Sequence, residues 1–279
     1  MKKVFFLVAL AFAMLANAQV LEVASVQKLD ITAGDVKVAG IAPDGSYILL
    51  TTNSNQCLKR YNMADKTTTT VSEAPGAGYN ASISADGQTV VFRETFFDTN
   101  RLRQQSLKSF NLASGKQQML VNKTRSSRKL AVNANLVAAR PTCSIEDRQL
   151  MITVGGTTTQ LSPCGTDKSY IWPSISPNGH KVLFYVSGVG AYVCNLDGTN
   201  LRYLGHNVRA PKWYNDNIII GMNDQDNGEI TISSEIVAVN LNGQTQVLTS
   251  GIDAMYPYPC NGKIVCSGLG GETYMINIQ

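Results

Sequence analysis

Short apolar runs recur along the chain, and each follows a tight-turn signal built around Asp-Gly or Asn-Gly. Such a dipeptide before an apolar run is typical of a β-hairpin, because both residues tolerate a left-handed backbone. The turns lie at 42–45, 84–87, 176–179 and 259–262, with a weaker copy at 214–217. The apolar strands predicted after them span 47–50, 89–92, 182–185, 264–266 and 218–220.

The spacing of these turns predicts one further unit that has no clear turn of its own. The turn anchors are Asp44, Asp86, Asn178, Asn215 and Asn261. They are 42, 92, 37 and 46 residues apart, and 92 is twice 46. We therefore place a hidden unit in the long interval, with a degenerate turn at 132–135 and a strand at 136–139.

A second motif has the same period. Five alternating strands end at an Asn between two apolar or aromatic residues, namely at Asn62, Asn111, Asn195, Asn240 and Asn277. The spacings are 49, 84, 45 and 37, and the long one again falls over the hidden unit. Most copies lead into a turn and another strand, so each unit has four antiparallel strands. Six such units predict an all-β fold, a six-bladed β-propeller.

The two ends of the chain are expected to meet in the last blade. The final unit stops at Gln279 after its third strand, whereas the segment 26–31 resembles the fourth strand of other units. We expect this N-terminal strand to complete the last blade and close the ring, which leaves no open sheet edge between the first and last blades.

The repeat resembles that of TolB-type propellers. The likeness lies in the Asp-Gly turn between the first two strands of a unit and in a later Asn-Leu-Asp-Gly turn, as at 195–198. It extends over roughly residues 26–279 and implies a six-bladed propeller. In TolB a small α/β domain precedes the propeller, which serves as a periplasmic protein-binding platform. That domain has no room in this sequence, so we do not expect the Tol-system role to carry over.

Residues 1–18 have the pattern of a secretory signal peptide. Lys2 and Lys3 precede an apolar run over 4–15, and Ala16 and Ala18 form a small-x-small cleavage site. The predicted mature chain is a single propeller domain, residues 19–279, that is periplasmic or secreted. The apolar run is too short to span a bilayer of ~30 Å, and no later stretch is long enough, so no transmembrane segment is expected.

Charge argues against a nucleic-acid partner. The chain has 24 Lys and Arg against 20 Asp and Glu, and only 16% of its residues are charged. Nucleic-acid-binding domains are strongly basic, with Lys and Arg clustered on one face. No pattern in the sequence predicts association with a second copy, so a monomer is expected.

The six cysteines allow two interpretations. All of them follow residue 18, in a compartment that permits disulfides, and the repeat places Cys143 and Cys164 in one sheet. Those two are the pair predicted to form a disulfide. The alternative is that the cysteines are buried free thiols, because a chain of this size does not need covalent crosslinks to fold.

Departures from the repeat supply the candidate ligand-binding residues, since propellers carry function on loops. The connections between second and third strands are long at 95–104 and 223–234, and they share a face with the connectors between blades. The candidates at this channel mouth are Tyr79, Phe96, Phe97, Arg101, Arg103, Arg128, Tyr170, Trp172, His206, Arg209, Asp224, Asp226, Glu229, Asp253 and Tyr256. The alternative for each is a solvated rim with half-buried aromatic rings.

Catalytic signatures are sparse. The sequence has no G-x-S-x-G motif and only two histidines, and the segment 224–229 does not match a calcium loop. We therefore predict a non-catalytic propeller without cofactor or metal that binds a protein, peptide or glycan at its channel mouth. One alternative is a small polysaccharide lyase or glycoside hydrolase using Asp224, Glu229 and Asp253. Another is a structural subunit of a cell-envelope complex.

Overall fold

The structure is a computed structural model that describes residues 19–31, 36–132 and 140–279. Throughout these ranges the regular secondary structure is β-strand, and no described residue is helical. The strands form six antiparallel sheets, the blades of a six-bladed propeller, as predicted. The predicted signal peptide and the predicted strand 136–139 lie outside the described residues.

The first three blades follow one another along the chain. Blade 1 contains β2 (Lys37–Ile41), β3 (Tyr47–Thr51), β4 (Gln56–Asn62) and β5 (Thr68–Pro75). Blade 2 contains β6 (Ser82–Ile83), β7 (Thr89–Phe97), β8 (Arg103–Asn111) and β9 (Gln117–Thr124). Blade 3 contains, within the described ranges, β10 (Thr142–Glu146), β11 (Gln149–Val154) and β12 (Thr157–Gln160).

The last three blades have four strands each. Blade 4 contains β13 (Tyr170–Ile175), β14 (Lys181–Val186), β15 (Gly190–Asn195) and β16 (Arg202–Gly205). Blade 5 contains β17 (Arg209–Trp213), β18 (Ile218–Asp226), β19 (Thr231–Asn240) and β20 (Thr245–Val247). Blade 6 contains β21 (Ala254–Cys260), β22 (Lys263–Gly268), β23 (Thr273–Ile278) and, from the other end of the chain, β1 (Val23–Leu29).

The N-terminal strand closes the ring as expected. β1 pairs antiparallel with β23, with Val26 opposite Ile276, and is the outer strand of blade 6. It begins three residues before the predicted segment and ends two residues before its end. Beyond β1, Gln246 in blade 5 accepts hydrogen bonds from the backbone N–H groups of Val20 and Leu21, at 2.7 and 2.9 Å.

The recurrent turns have a structural role. Gly45 and Gly87 have φ of 74° and 71°, which a side chain would strain. The Asp44 carboxylate accepts from the Ser46 N–H at 2.9 Å, and the Asp86 carboxylate does the same for Gln88. These hydrogen bonds to Ser46 hold the pKa of Asp44 below its usual range. Both acids are therefore turn residues.

Apolar clusters between neighbouring blades form the core. Ile48, Leu50 and Val265 pack between blades 1 and 6, and Phe92 packs with Leu49 between blades 1 and 2. The cluster on the inner side of blade 2 is smaller. Its buried members are Val91, Leu107 and Leu130, and none comes from β10, β11 or β12. Among the described residues, blades 2 and 3 thus share the thinnest apolar interface.

Blade 3 is the unit that the sequence predicted least well. Its first described turn is formed by Asp147 and Arg148, both with positive φ, and follows β10. The turn predicted at 132–135 lies, apart from residue 132, outside the described residues. A type I′ geometry of this kind ordinarily takes Asn-Gly or Asp-Gly, so Asp-Arg gave no signal. The second turn, at Gly155 and Gly156, joins β11 to β12.

The predicted disulfide is not formed. All six cysteines are free thiols in the structure. Cys143 lies on β10 and Cys164 follows β12, with β11 between these strands. Burial raises the pKa of the Cys143 thiol to about 12, so that thiol stays protonated and unreactive.

Candidate functional site

A central cavity of about 1220 Å³ runs along the propeller axis. The innermost strand of every blade contributes to its wall, namely β2, β6, β10, β13, β17 and β21. Because strands alternate in direction, the inner strands begin on the face where the β7–β8 and β18–β19 hairpins turn. The two hairpins therefore lie at the mouth of the cavity, as the loop lengths predicted.

Three aromatic rings stand at this mouth. Tyr79, Trp172 and Tyr256 all line the cavity and are 42%, 38% and 38% exposed. Trp172 and Tyr256 have φ of 52° and 53°, and each lies at a register shift in its inner strand just before a proline. A bulge with a left-handed residue re-aims the side chain. The left-handed backbone at Trp172 and Tyr256 thus directs both rings toward the cavity.

Each of the three rings has a cation over its face. Lys37 Nζ lies 5.1 Å from the centre of the Tyr256 ring. The guanidinium of Arg93 lies 5.6 Å from the Tyr79 ring, and that of Arg209 lies 5.9 Å from the Trp172 ring. Cations within about 6 Å of a ring centre are attracted by its quadrupole. The mouth therefore carries three ring–cation pairs, distributed over different blades.

The charged side chains that line the cavity are all basic. Its lining includes six cationic side chains: Lys37, Arg93, Arg103, Arg125, Arg140 and Lys212. No Asp or Glu is among the described residues that line it. Cavity walls of low dielectric with charges of one sign concentrate counter-ions and ligands of the opposite sign.

Burial lowers the pKa of several of these cations, because it disfavours their charged form. It lowers the pKa of Lys212 to about 8, and the Lys212 ammonium lies 4.3 Å from the centre of the Tyr258 ring. Burial also lowers the pKa of Lys37 and of Arg93, and the charge on Arg103 lowers that of Arg93 further. An anion in the cavity would relieve all of these effects.

Arg209 is held in place by a buried carboxylate. Its guanidinium donates to Asp224 Oδ2 at 2.7 Å, and the Asp224 side chain is 3% exposed. Asp224 Oδ1 is buried without a hydrogen-bond partner. Desolvation raises the pKa of Asp224 in spite of the neighbouring Arg209. Asp224 thus positions the cation over Trp172.

Four of the residues predicted from sequence line the cavity with accessible side chains: Tyr79, Arg103, Trp172 and Tyr256. Tyr170 also borders it but is buried. The Tyr170 hydroxyl donates to Gly165 O and accepts from Cys164 N–H, and its ring packs on Phe184. Its role in this geometry is packing between blades 3 and 4.

The other predicted residues lie away from the cavity wall. Phe96, Phe97, Arg101, Asp226 and Glu229 belong to the two long hairpins, where Phe97 is 67% exposed. Arg128 pairs with Glu146 at 3.2 Å. His206 Nδ1 lies 3.1 Å from Val189 O, and Asp253 accepts from the Ser234 N–H at 3.1 Å. The structure therefore does not gather these residues into one site.

The sequence analysis did not identify the three cations that lie within strands of the cavity wall, Lys37, Arg93 and Lys212. All three lie within β-strands, so attention to loops overlooked them. A signal was nevertheless present, because Lys37, Lys212 and Arg93 interrupt strands that are otherwise mostly apolar. A charged residue in such a strand lies on a face that reaches solvent. In a propeller, that face can border the central channel.

In residues 19–31, 36–132 and 140–279, no three His, Cys, Asp or Glu side chains lie close enough to hold a metal ion together. The same ranges contain no helix of the length and hydropathy that a membrane crossing requires.

No protein-family model and no curated protein matches the sequence. Solved structures do. A TolB-type protein from Agrobacterium tumefaciens is 15% identical at a TM-score of 0.56, over 86% of this chain and 88% of that one. A protein of unknown function from Bacteroides thetaiotaomicron is 13% identical at a TM-score of 0.57, over 93% and 73%. An oligogalacturonate lyase in complex with manganese is 12% identical at a TM-score of 0.51, over 86% and 76%.

These likenesses establish the fold. The structural neighbours include TolB-like six-bladed propellers, in agreement with the resemblance of the repeat. At 15% identity or less they carry no residue roles, because one fold hosts many functions.

Proposed function

We propose that the protein is an exported, non-catalytic propeller that binds a protein, peptide or glycan at the mouth of its central channel. The observation that carries this proposal is the set of three ring–cation pairs around the mouth. Export rests on the signal-peptide pattern of residues 1–18.

The physical basis of the proposal is that rigid aromatic rings give a ligand a large contact area at a small cost in side-chain entropy. Tyr and Trp rings offer large rigid surfaces, and they are enriched with Arg at the centres of binding sites. The rings of Tyr79, Trp172 and Tyr256 are partly exposed, and the backbone of Trp172 and Tyr256 is fixed within the inner strands β13 and β21. A ligand that covers them loses little side-chain entropy from the protein.

The enzyme alternative has less support. A lyase or hydrolase needs convergent acids or a metal site, and no carboxylate lines the described cavity wall. One neighbour is an oligogalacturonate lyase in complex with manganese. The described residues of this chain do not fit such a metal, because no three candidate ligands lie together. No step of a reaction is therefore assigned.

Binding is tested by thermal stability in the presence of peptides and oligosaccharides. A ligand that binds only the folded state raises the unfolding midpoint, by about 2.7 kcal/mol of stability at a hundredfold excess over Kd. We expect at least one ligand class to do so without being turned over. We expect Trp172→Ala and Tyr256→Ala to weaken the effect, whereas Tyr203→Ala, an exposed ring on outer strand β16, leaves it unchanged.

Two results would contradict the proposal. One is turnover of the ligand, which would indicate an enzyme. The other is binding that is indifferent to both rim substitutions, which would place the ligand elsewhere on the molecule. Export is tested separately by N-terminal sequencing of the protein from the periplasmic or culture fraction, where we expect Gln19 as the first residue.

A further inference from the structure

We propose that the ligand is an acidic peptide segment that lies along the cavity wall formed by blades 1–3. This inference rests on the proposed function and specifies the chemistry of its ligand. Three features of the described residues carry it: the distribution of cations, two arginines of blade 2 that line the cavity, and the free edges of the inner strands.

Cations are concentrated on one half of the cavity. Lys37, Arg93, Arg103 and Arg125 belong to blades 1 and 2, and Arg140 lies next to blade 3. Blades 4–6 contribute a single cation, Lys212. Arg140 already donates to Ser176 O at 3.3 Å, on the opposite end of the ring from the mouth. Among the cations that line the cavity, the accessible positive charge is therefore that of blades 1 and 2. Arg209 of blade 5, over the Trp172 ring, is paired with Asp224.

Arg93 and Arg103 form the centre of this basic half. Their charges repel each other, since Arg103 lowers the pKa of Arg93. The nearest acid along the strand, Glu94, faces the other side of β7, where it pairs with Lys108 at 2.9 Å. Arg93 donates to Gln105 Oε1 at 3.4 Å, and no carboxylate in the described part of the chain forms an ion pair with it. Both guanidinium groups line one cavity that has no carboxylate among its described lining residues, and guanidinium binds carboxylates with two parallel hydrogen bonds, so this part of the wall favours acidic side chains.

The strand edges favour a peptide over a glycan. Each inner strand has one edge that pairs with no other strand of the described sheets. In blades 4–6 these strands contain Pro173, Pro211 and Pro257, which remove backbone donors from the edge. β2, β6 and β10 contain no proline. An extended peptide can add to such an edge with its own N–H and C=O groups, which a glycan lacks.

Part of that edge is already used, which limits where a peptide can pair. The Val38 N–H donates to Ser267 Oγ at 2.9 Å, and Ile145 O accepts from Ser127 Oγ. Within the described hydrogen bonds, the edge of β6 has no such side-chain partner. β6 belongs to the same blade as Arg93 and Arg103, so backbone pairing and charge recognition coincide in blade 2.

The test uses calorimetric titration of the full chain with capped hexaglutamate, hexaglutamine and a linear hexauronate. We expect hexaglutamate to bind and hexaglutamine to bind at least roughly tenfold more weakly, with affinity for hexaglutamate falling as salt rises. In the double variant Arg93→Gln, Arg103→Gln the affinity for hexaglutamate should fall by about tenfold or more. Arg202→Gln, an exposed arginine on outer strand β16, is the matched control and should stay within about twofold.

Three results would overturn the inference. These are equal binding of hexaglutamate and hexaglutamine, binding of the hexauronate without hexaglutamate, and an unchanged affinity in the double variant. If the double variant does not fold, Arg103→Gln alone replaces it, since Arg103 is exposed. A Trp172-dependent ligand found by thermal stability, together with no binding of hexaglutamate, would refute the acidic peptide while leaving the proposed function standing.

Discussion

The two halves of the channel wall have the same strand topology and different chemistry. Blades 4–6 present prolines and the rings of Trp172 and Tyr256, with one cation at Lys212. Blades 1–3 present inner strands without proline and the other cations of the wall. A repeat therefore fixes where each inner strand lies, and single positions within it decide whether that strand offers a ring, a charge or a free edge.

The largest expected effect on the free energy of unfolding comes from substitutions in the core, where the two halves should not differ. Phe92 in blade 2 and Phe184 in blade 4 occupy equivalent positions and are both fully buried. Replacing either by Ala should lower the free energy of unfolding by ~3–5 kcal/mol, measured by urea denaturation. Phe184→Ala should cost about 1 kcal/mol more, because Phe184 also contacts the rings of Tyr170 and Tyr192.

A small loss for Phe92→Ala would indicate that blade 2 is loosely packed and that the halves differ in stability as well as in chemistry. Val189→Ala, an exposed residue in the turn between β14 and β15, serves as the control. It should change the free energy of unfolding by less than about 0.5 kcal/mol.

Substitution of Lys212, the cation that blades 4–6 contribute to the cavity wall, is expected to have an intermediate effect on the free energy of unfolding. Its folded-state pKa of about 8 lies below the ordinary value of 10.5, so its charge destabilises the fold below pH 8. Lys212→Met should therefore raise the free energy of unfolding by roughly 1–2 kcal/mol at pH 7. Between pH 8 and 10.5 the folded wild type loses the proton first, and the advantage of the variant should shrink.

Urea denaturation at pH 7, 9 and 10 measures this dependence. A constant difference between Lys212→Met and the wild type would mean that packing of the methionine, and not removal of a desolvated charge, explains any gain. A loss of stability at every pH would show that the contact of Lys212 with Tyr258 stabilises the folded state.

The smallest effect on the free energy of unfolding is expected from one ion pair in each half, Arg209–Asp224 in blade 5 and Lys108–Glu94 in blade 2. Asp224→Asn removes the charge partner of Arg209, but Arg209 is 39% exposed and can be solvated, and the amide oxygen can still accept its hydrogen bond. The free energy of unfolding should change by less than about 1 kcal/mol, as for Glu94→Gln in blade 2. A loss of about 3 kcal/mol or more for Asp224→Asn would identify a buried pair on which blade 5 depends.

The sequence predicted the parts of the fold that depend on backbone geometry in tight turns. Gly45 and Gly87 occupy left-handed positions that favour glycine, so their recurrence identified the blades. The closing strand was recognisable because Val26 and its neighbours alternate like an outer strand. Blade 3 could be inferred only from the doubled spacing, because its first described turn is formed by Asp147 and Arg148, a pair that carries no such signature.

The site was less predictable, because it depends on contacts between blades. Trp172 and Tyr79 were identified as rim residues, but Tyr170, two residues from Trp172, is buried. What separates them is the register shift after Ile171, which reverses the direction of the side chain. Arg93 and Lys212 were missed because they lie within strands and the prediction considered loops. A charge within an apolar strand indicates a face that reaches solvent, but it does not show whether that face borders the channel.

The most direct test of the difference between the halves is a crystal structure of the full chain with capped hexaglutamate bound. We expect the peptide inside the channel, with carboxylates on Arg93 and Arg103 and its backbone beside β6. A peptide bound across Trp172 and Tyr256 without contact to blade 2, or bound outside the channel, would contradict the assignment of ligand recognition to blades 1–3.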